Sequence, residues 1–336
     1  MSKTAVVIPN LNGEDSISDC LDSLLDQTST IIVIENGSKD GSLELLKSKY
    51  PSVNLIVNQV NLGFAGGVNQ GIQKAIDEGF TYVALFNNDA VAKKDWLAVL
   101  EKEMDKQPNV GIATCKFLSG DGKQIDSTGD IYTNWGLPFP RGRGEKTGSV
   151  YDKATDVFAA SGGASIYRVA MLKEIGLFDE DFFAYYEDVD ISFRAQLSGW
   201  KVKYVPDAVA YHQIGATSSK IKGFTTYQTM KNLPLLFYKN MPKKYFRSVG
   251  LRLMLALSFF ILRALGRGQG RFALRGLFKG LGLLPKKHQE RKNIQARMSV
   301  TNQYIWGIIM HDLPPNAKAL RQLRSLHWKL IRRSNG

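Results

Sequence analysis

Four short β-branched runs near the start of the chain end in polar side chains, and those ends are where chemistry can be done. Ala5 to Ile8 leads into Pro9, Asn10 and Asn12, and Ile31 to Ile34 into Glu35 and Asn36. Asn54 to Val57 leads into Asn58 and Asn61, and Tyr82 to Phe86 into Asn87, Asn88 and Asp89. Amides and carboxylates without a Lys or Arg among them suit a sugar or a base, with a metal ion carrying any phosphate charge. Asn and Asp also serve turns through their own hydrogen bonds, but coincidence at four run ends favours a site. Two further acids, Glu187 and Asp188, open a helical pattern whose apolar stripe is Val189, Phe193, Leu197 and Trp200. The dipole of that helix favours ionised carboxylates there near neutral pH.

The elements that must position these residues alternate. Helical patterns near 15–26, 42–49 and 66–78 separate the β-branched runs, which predicts an α/β fold with a parallel sheet and right-handed crossovers. Ligands in such sheets bind beyond the carboxyl ends of the strands, where the polar clusters lie. Asp40 reads as a cap for the helix Ser42 to Tyr50, and Asp190 with Arg194, four apart, as a helix ion pair. There is no G-x-x-x-x-G-K-[ST] phosphate loop. The glycines Gly63, Gly66, Gly67 and Gly71 do not form the G-x-G-x-x-G turn after a first strand. An ATPase and a nicotinamide dehydrogenase are therefore disfavoured.

Charge divides the chain. Its 336 residues carry a net charge of +13. Residues 1–219 hold 20 basic and 29 acidic side chains, a net of −9, whereas 220–336 hold 24 basic side chains and only Glu290 and Asp312, a net of +22. In the basic part, Tyr245 to Leu265 and Arg271 to Leu284 read as helices broken by glycines, and Arg263, Arg267, Arg271, Arg275 and Lys279 recur every four residues among apolar neighbours. Pro314 and Pro315 introduce a last basic helix with Leu320, Leu323, Trp328 and Ile331. Basic amphipathic segments of this kind lie on an anionic membrane surface, or pack on a neighbour with a solvated basic face. No nucleic-acid-binding signature accompanies the charge. The apolar run Leu253 to Leu262, broken by Ser258, falls short of the ~20 residues of a spanning helix. Two cysteines, Cys20 and Cys115, exclude a disulfide framework and fit a reducing compartment. The start MSKTAVVIPN lacks a secretory pattern. These features predict a cytoplasmic protein, peripheral on the inner face of the cell membrane.

Seven motifs stand in order between about residues 4 and 219: VVIPNLNGEDSISDCLDSL, VIENGSKDGS, NLGFAGGVNQG, LFNNDA, SGGASIYR, YYEDVDISFRAQLSGWK and AYHQIGATS. Together they resemble the inverting glycosyltransferases of family 2, in particular the bacterial rhamnosyltransferase-like branch. The resemblance implies a GT-A fold, Rossmann-like, with a mostly parallel central sheet flanked by helices, followed here by the basic helical extension. Residues 1–219 would be the catalytic domain, with a nucleotide-sugar half to about 100 and an acceptor half from about 101, and 220–336 a membrane-associating region.

The resemblance also implies roles. Pro9, Asn10, Asn12, Glu35, Asn36, Asn61, Gly63, Gly67, Asn69, Asn87, Asn88, Gly162 and Gly163 would hold the nucleotide sugar, with Glu35 where the family usually has Asp. Asp89 and His212 would bind a divalent cation, Mg2+ or Mn2+, although Asn87 replaces the first acid of the family's D-x-D motif. Asp188 would deprotonate the acceptor hydroxyl for a single inverting displacement, and Glu187 would position acceptor or base. The small residues from Ala160 to Ser165 would floor the sugar site. The implied partners are a dTDP- or UDP-linked donor and a polyprenyl-diphosphate-linked glycan in O-antigen, capsule or cell-wall assembly. No nucleic acid is implied, and self-association into a homo-oligomer stays open. dTDP-L-rhamnose is the favoured donor, a UDP-hexose or UDP-GlcNAc the rival, and a glycan-binding or scaffold protein without activity the reading from another class.

Overall fold

The computed structural model describes residues 3–28, 30–212, 221–315, 317, 320 and 321. The first half alternates as its periodicity predicts: β1 (Thr4–Asn10), α1 (Ile17–Asp22), β2 (Ile31–Asn36), α2 (Ser42–Lys49), β3 (Asn54–Asn58), α3 (Gly63–Asp77) and β4 (Tyr82–Phe86). Next come β5 (Ala90–Ala92), α4 (Trp96–Lys106), β6 (Val110–Ser119), β7 (Ile125–Ser127), β8 (Asp130–Tyr132), β9 (Pro138–Pro140) and β10 (Thr155–Asp156). Then follow β11 (Ala164–Arg168), α5 (Val169–Ile175), α6 (Glu187–Leu197) and β12 (Lys201–His212). The main sheet runs β10-β12-β6-β11-β4-β1-β2-β3, with β5 on β12 and β7 on β6.

Strands β1 to β4 pair in parallel, as do β6 and β12, while β11 runs antiparallel between β4 and β6. The sheet is mixed overall, and its strands from the first hundred residues, β1 to β4, are parallel as the sequence predicts. Val6 and Ile8 of β1 pack into one core layer with Ile17, Leu21 and Trp96; Ala5 and Val7 pack into the other with Val68 and Ile72. Burial on both faces explains the continuous β-branched runs.

The basic part forms α7 (Phe224–Asn240), α8 (Lys243–Gly266), α9 (Gly270–Ala296) and α10 (Asn302–Ile308). The glycines do not break α9, contrary to the sequence expectation. A Cβ on Gly276 would stand 2.3 Å from the backbone oxygen of Tyr227, and one on Gly280 2.3 Å from that of Lys231. These glycines let α9 approach the α7 backbone, and the contact offsets their poor helix propensity of ~1 kcal/mol each. Of the last basic helix, Leu323, Trp328 and Ile331 lie outside the described residues, as do 213–220, where the charge boundary falls.

A third core joins the two parts. Tyr132, Phe158, Phe182, Val189 and Phe193 of the sheet half bury against Leu233, Leu236, Val249, Leu253 and Ile305 of the helical half. With ~1.5–3 kcal/mol for each fully buried large apolar side chain, this seam contributes as much as a small domain core. Trp200, expected in the buried stripe of α6, is only half-buried, and its Nε1 donates to Glu174 at 2.9 Å.

Candidate active site

A cavity of about 650 Å3 opens at the carboxyl ends of β1, β2 and β4. Of the residues expected from sequence, Pro9, Asn10, Asn36, Asn61, Gly63, Asn87, Asn88, Asp89, Gly162, Gly163, Glu187, Asp188 and His212 line it. Many of the amides are tied to one another. Asn88 donates to Asn10 Oδ1 at 2.7 Å, and Asn10 Nδ2 donates to Glu35 at 2.6 Å. Asn36 Nδ2 donates to the Gly63 carbonyl, and its Oδ1 accepts from Leu62 N, which fixes the start of α3. Ordered amide networks of this sort preorganise a polar wall.

Four expected residues stand off the cavity. Glu35 is buried and accepts from Asn10, Ser38 N and Ser42 Oγ, so it orients Asn10 from behind. Asn12, with φ of 52°, accepts from Lys39 N and joins two loops. Asn69 donates to the Phe178 carbonyl and accepts from Phe178 N, clamping that segment onto α3. Gly67 faces the Asn36 side chain, with room for no more than a tight Cβ. Asp40 stands one residue before the N-cap of α2, Gly41, contrary to the expected cap position, and accepts from Ser42 N and Oγ and from Glu14 N.

Sheet register makes the Asp89–His212 pair. β12 pairs β5 with His212 opposite Ala90, which sets His212 Nε2 3.2 Å from Asp89 Oδ1. The other ring nitrogen, Nδ1, meets Asp126 Oδ2 at 2.8 Å, and Phe117 stacks on the ring at 4.7 Å. Burial pulls the imidazole toward neutrality, but hydrogen bonds to Asp126 and Asp89 override it and raise its pKa to about 9. A carboxylate behind a histidine whose second nitrogen faces another acid is the arrangement of a metal-ligating imidazole with its orienting partner. Among the described residues no three His, Cys, Asp or Glu side chains converge as an ion cage. Asp89 and His212 could hold a cation once the ion displaces the imidazole proton, with further oxygens coming from a bound diphosphate.

Glu187 and Asp188 reach the cavity from the first turn of α6, beside a strained approach. Phe183, Tyr185 and Tyr186 have φ of 63°, 71° and 70°, left-handed values costing roughly 1–3 kcal/mol each for side chains of this kind. Asp188 Oδ2 accepts from Gly162 N at 2.9 Å, and Oδ1 from Val189 N at 2.8 Å. A Cβ on Gly162 would come within 3.3 Å of the Asp188 Cβ, so the small residue brings the backbone donor close. The sequence predicts two ionised carboxylates here, and burial in the structure works against that ionisation. Burial pushes Asp188 up despite its backbone donors, and burial plus the Asp188 charge push Glu187 well up. Glu187 Oε2 has no hydrogen-bond partner among the described residues.

Among the lining residues that sequence reasoning missed, four stand out. Asp130 is buried, and its carboxyl is pushed well up by burial and by Asp188. Asp126 orients His212, and Arg143 pairs with Asp126 Oδ1 at 2.8 Å. Arg143 supplies a basic group to a pocket that the strand ends alone leave without one. Asp126 and Asp130, four apart in IDSTGDIY, were the available signal. Phe183 marks the fourth omission, a cavity wall contributed by the strained turn. Further wall comes from Phe224, Leu233 and Phe260 of α7 and α8.

The family model for glycosyl transferase family 2 matches residues 5–176, just over half of the chain. The chain belongs to glycosyl transferase family 2. A relative of this glycosyltransferase is the N-acetylglucosaminyl-diphospho-decaprenol L-rhamnosyltransferase of Mycobacterium tuberculosis, 26% identical over 202 residues. That match covers 54% of this chain and 66% of the mycobacterial one, just under two thirds. In fold, the glycosyltransferase is similar to Staphylococcus aureus TarS 1-349 in complex with UDP-GlcNAc, with a TM-score of 0.54 and 19% identity over 91% of this chain and 92% of the other. It is also similar to the mannosyltransferase PcManGT of Pyrobaculum calidifontis in complex with GDP-Man and Mn2+, with a TM-score of 0.52 and 16% identity over 88% and 84% of the two chains. The architecture is that of the GT-A glycosyltransferases, a mixed α/β sheet flanked by helices, with a helical C-terminal part.

Proposed function

We propose that this glycosyltransferase moves L-rhamnose from dTDP-L-rhamnose, with inversion, to a hydroxyl of a polyprenyl-diphosphate-linked glycan in bacterial surface-polysaccharide or cell-wall assembly. The observation that carries the reading is one cavity wall holding a buried, backbone-anchored Asp188 together with the Asp89–His212 pair. Asp188, its pKa raised by burial, is a stronger base than an exposed aspartate and takes the acceptor proton. Glu187 fixes the acceptor through its unpartnered oxygen. Asn10, Asn36 and Asn88 hold the donor, and Gly162 and Gly163 admit its sugar. Asp89 and His212 would hold a divalent cation, which would supply charge neutralisation at the diphosphate; Arg143 adds a positive charge at the same rim.

The rhamnose donor and the lipid-linked acceptor are supported by the mycobacterial relative, whose name carries both. The TarS complex with UDP-GlcNAc favours a second reading, a UDP-sugar donor. A panel of dTDP- and UDP-sugars with Mn2+, read by mass spectrometry, decides between them. Slow hydrolysis or transfer of dTDP-L-rhamnose above the others supports the first reading. Selective turnover of a UDP-sugar supports the second, and no binding or turnover of any donor leaves the inactive glycan-binding or scaffold reading.

The helical half supports placement on a membrane surface. α8 is 24 residues long and, by length and composition alone, apolar enough to cross a membrane, a longer stretch than the apolar run read from sequence but not a clear span. Its Val249, Leu253, Ala256 and Leu257 are nevertheless buried against the protein, while Leu251, Leu255 and Leu262 are exposed beside exposed Arg247 and Arg263. Such a two-sided helix lies in the interface, its basic neighbours meeting anionic lipid. Flotation with anionic vesicles should weaken about tenfold for each of Leu251→Glu, Leu255→Glu and Leu262→Glu, from the ~1.5 kcal/mol of burial each Leu gives up. Equal flotation of all variants sinks the membrane reading.

A further inference from the structure

Helix α7 carries the dipeptide Lys-Asn twice, as Lys231-Asn232 and Lys239-Asn240, and all four side chains are buried. Asn232 Nδ2 donates to the carbonyls of Phe182, Ala184 and Tyr185 at 3.0, 2.8 and 2.7 Å. Lys231 Nζ donates to the carbonyls of Asp181 and Phe182 at 2.9 and 3.1 Å. These carbonyls belong to the turn whose Phe183, Tyr185 and Tyr186 are left-handed, immediately before Glu187 and Asp188. Eight residues on, Lys239 and Asn240 hold the two oxygens of Asp190 in the same helix as the catalytic pair, at 3.1 and 2.8 Å.

Carbonyl oxygens that converge on one point repel one another unless a donor stands there, and non-glycine residues leave left-handed conformations when nothing holds them. Inside the turn only Ala184 N donates, to the Phe182 carbonyl at 2.7 Å, and Ala65 N of α3 reaches the Phe183 carbonyl at 3.3 Å; the Ala184 and Tyr185 carbonyls are met by Asn232 of α7, more than 40 residues downstream. We propose that Asn232, with Lys231, is a positioning residue for catalysis, holding the 182–186 turn so that Asp188 and Glu187 face the donor and acceptor. The assignment rests on the glycosyltransferase reading and adds to it that the helical half is built into the catalytic centre. It also predicts a split in behaviour. The nucleotide is gripped by the ends of β1, β2 and β4, which Asn232 does not touch, so its loss acts on turnover rather than on nucleotide affinity.

The test uses the full chain with Asn232→Ala, and with Lys231→Met as a second variant that keeps the aliphatic stem if the first does not fold. Amide hydrogen exchange of residues 183–188, nucleotide affinity by calorimetry and donor turnover are measured for each. The expected result is faster exchange confined to that segment and turnover lowered about 10²-fold, the scale of a catalytic group displaced by ~1 Å, with nucleotide affinity within about twofold of wild type. Unchanged exchange at 183–188, or retained turnover, overturns the proposal. So does a parallel fall of turnover and nucleotide affinity, which marks a general structural role. If the wild type turns over no donor, the functional reading falls, and the exchange measurement alone judges the clamp.

Discussion

The sheet half and the helical half spend their charge in opposite directions. In residues 1–212 the acids that matter point inward: Asp89, Asp126, Asp130, Glu187 and Asp188 all line one cavity. In residues 221–321 most Arg and Lys point outward, with Arg263, Arg267, Arg271, Arg275 and Lys279 exposed. The exceptions join the two. Lys231, Lys239 and Lys287 are buried, and each is directed at acids or carbonyls of the sheet half. The helical half thus has two duties, an outer basic and apolar face and an inner set of cations that complete the acidic half.

The comparison breaks most severely at Lys239. Its ammonium lies between Asp179 at 2.5 Å and Asp190 at 3.1 Å, with its side chain 2% exposed. Lys239→Met should remove one of two cations from each acid, leaving Asp190 with Arg194 and Asp179 with Lys287, and cost up to about 3–5 kcal/mol. Urea denaturation checks this, and both halves should unfold together. A loss under 1 kcal/mol would mean that the seam is not held by this charge. Gly276→Ala comes next: its Cβ would meet the Tyr227 carbonyl, forcing α9 off α7 at about 1–3 kcal/mol by the same measurement.

The smallest effect concerns Glu187, which burial pushes well above the usual carboxylate range. A folded-state pKa above the unfolded value of ~4.3 means that the folded protein holds the extra proton. Stability is then greatest below that unfolded value and falls as pH rises through the folded one. Glu187→Gln should therefore raise Tm at neutral pH, by about 2–4 °C for each ~1 kcal/mol relieved, and make no difference at pH 4 or below. A lowered Tm at neutral pH would show that the ionised carboxylate is stabilised by its surroundings.

Much of the sheet half was legible because strand and helix periods and the polar strand ends are local signals. Nine of the thirteen residues assigned to the nucleotide sugar, and all four assigned to the metal and the chemistry, line the cavity, while Glu35 and Gly67 stand one contact behind it. Asn12, Gly67 and Asn69 lie off the cavity as a loop tie, a helix packing site and a clamp, roles that use the same residue types as a ligand contact. Asp126, Asp130 and Arg143 were hidden because only the tertiary fold brings the 125–143 segment over the strand ends. The role of Asn232 was illegible for a further reason: an Asn inside a helix shows nothing of the three carbonyls it meets. Gly276 and Gly280 read as helix breakers because the backbone they accommodate belongs to another helix.

The most direct test of the central claim compares wild type and Asp188→Asn, at saturating nucleotide sugar and Mn2+, for turnover and for nucleotide affinity. Asparagine keeps the shape and can still accept from Gly162 N, but it cannot take a proton. The account predicts turnover lower by ~10²-fold or more with affinity unchanged within about twofold. Turnover within threefold of wild type would contradict the assignment of Asp188 as the base and, with it, the active site described for this glycosyltransferase.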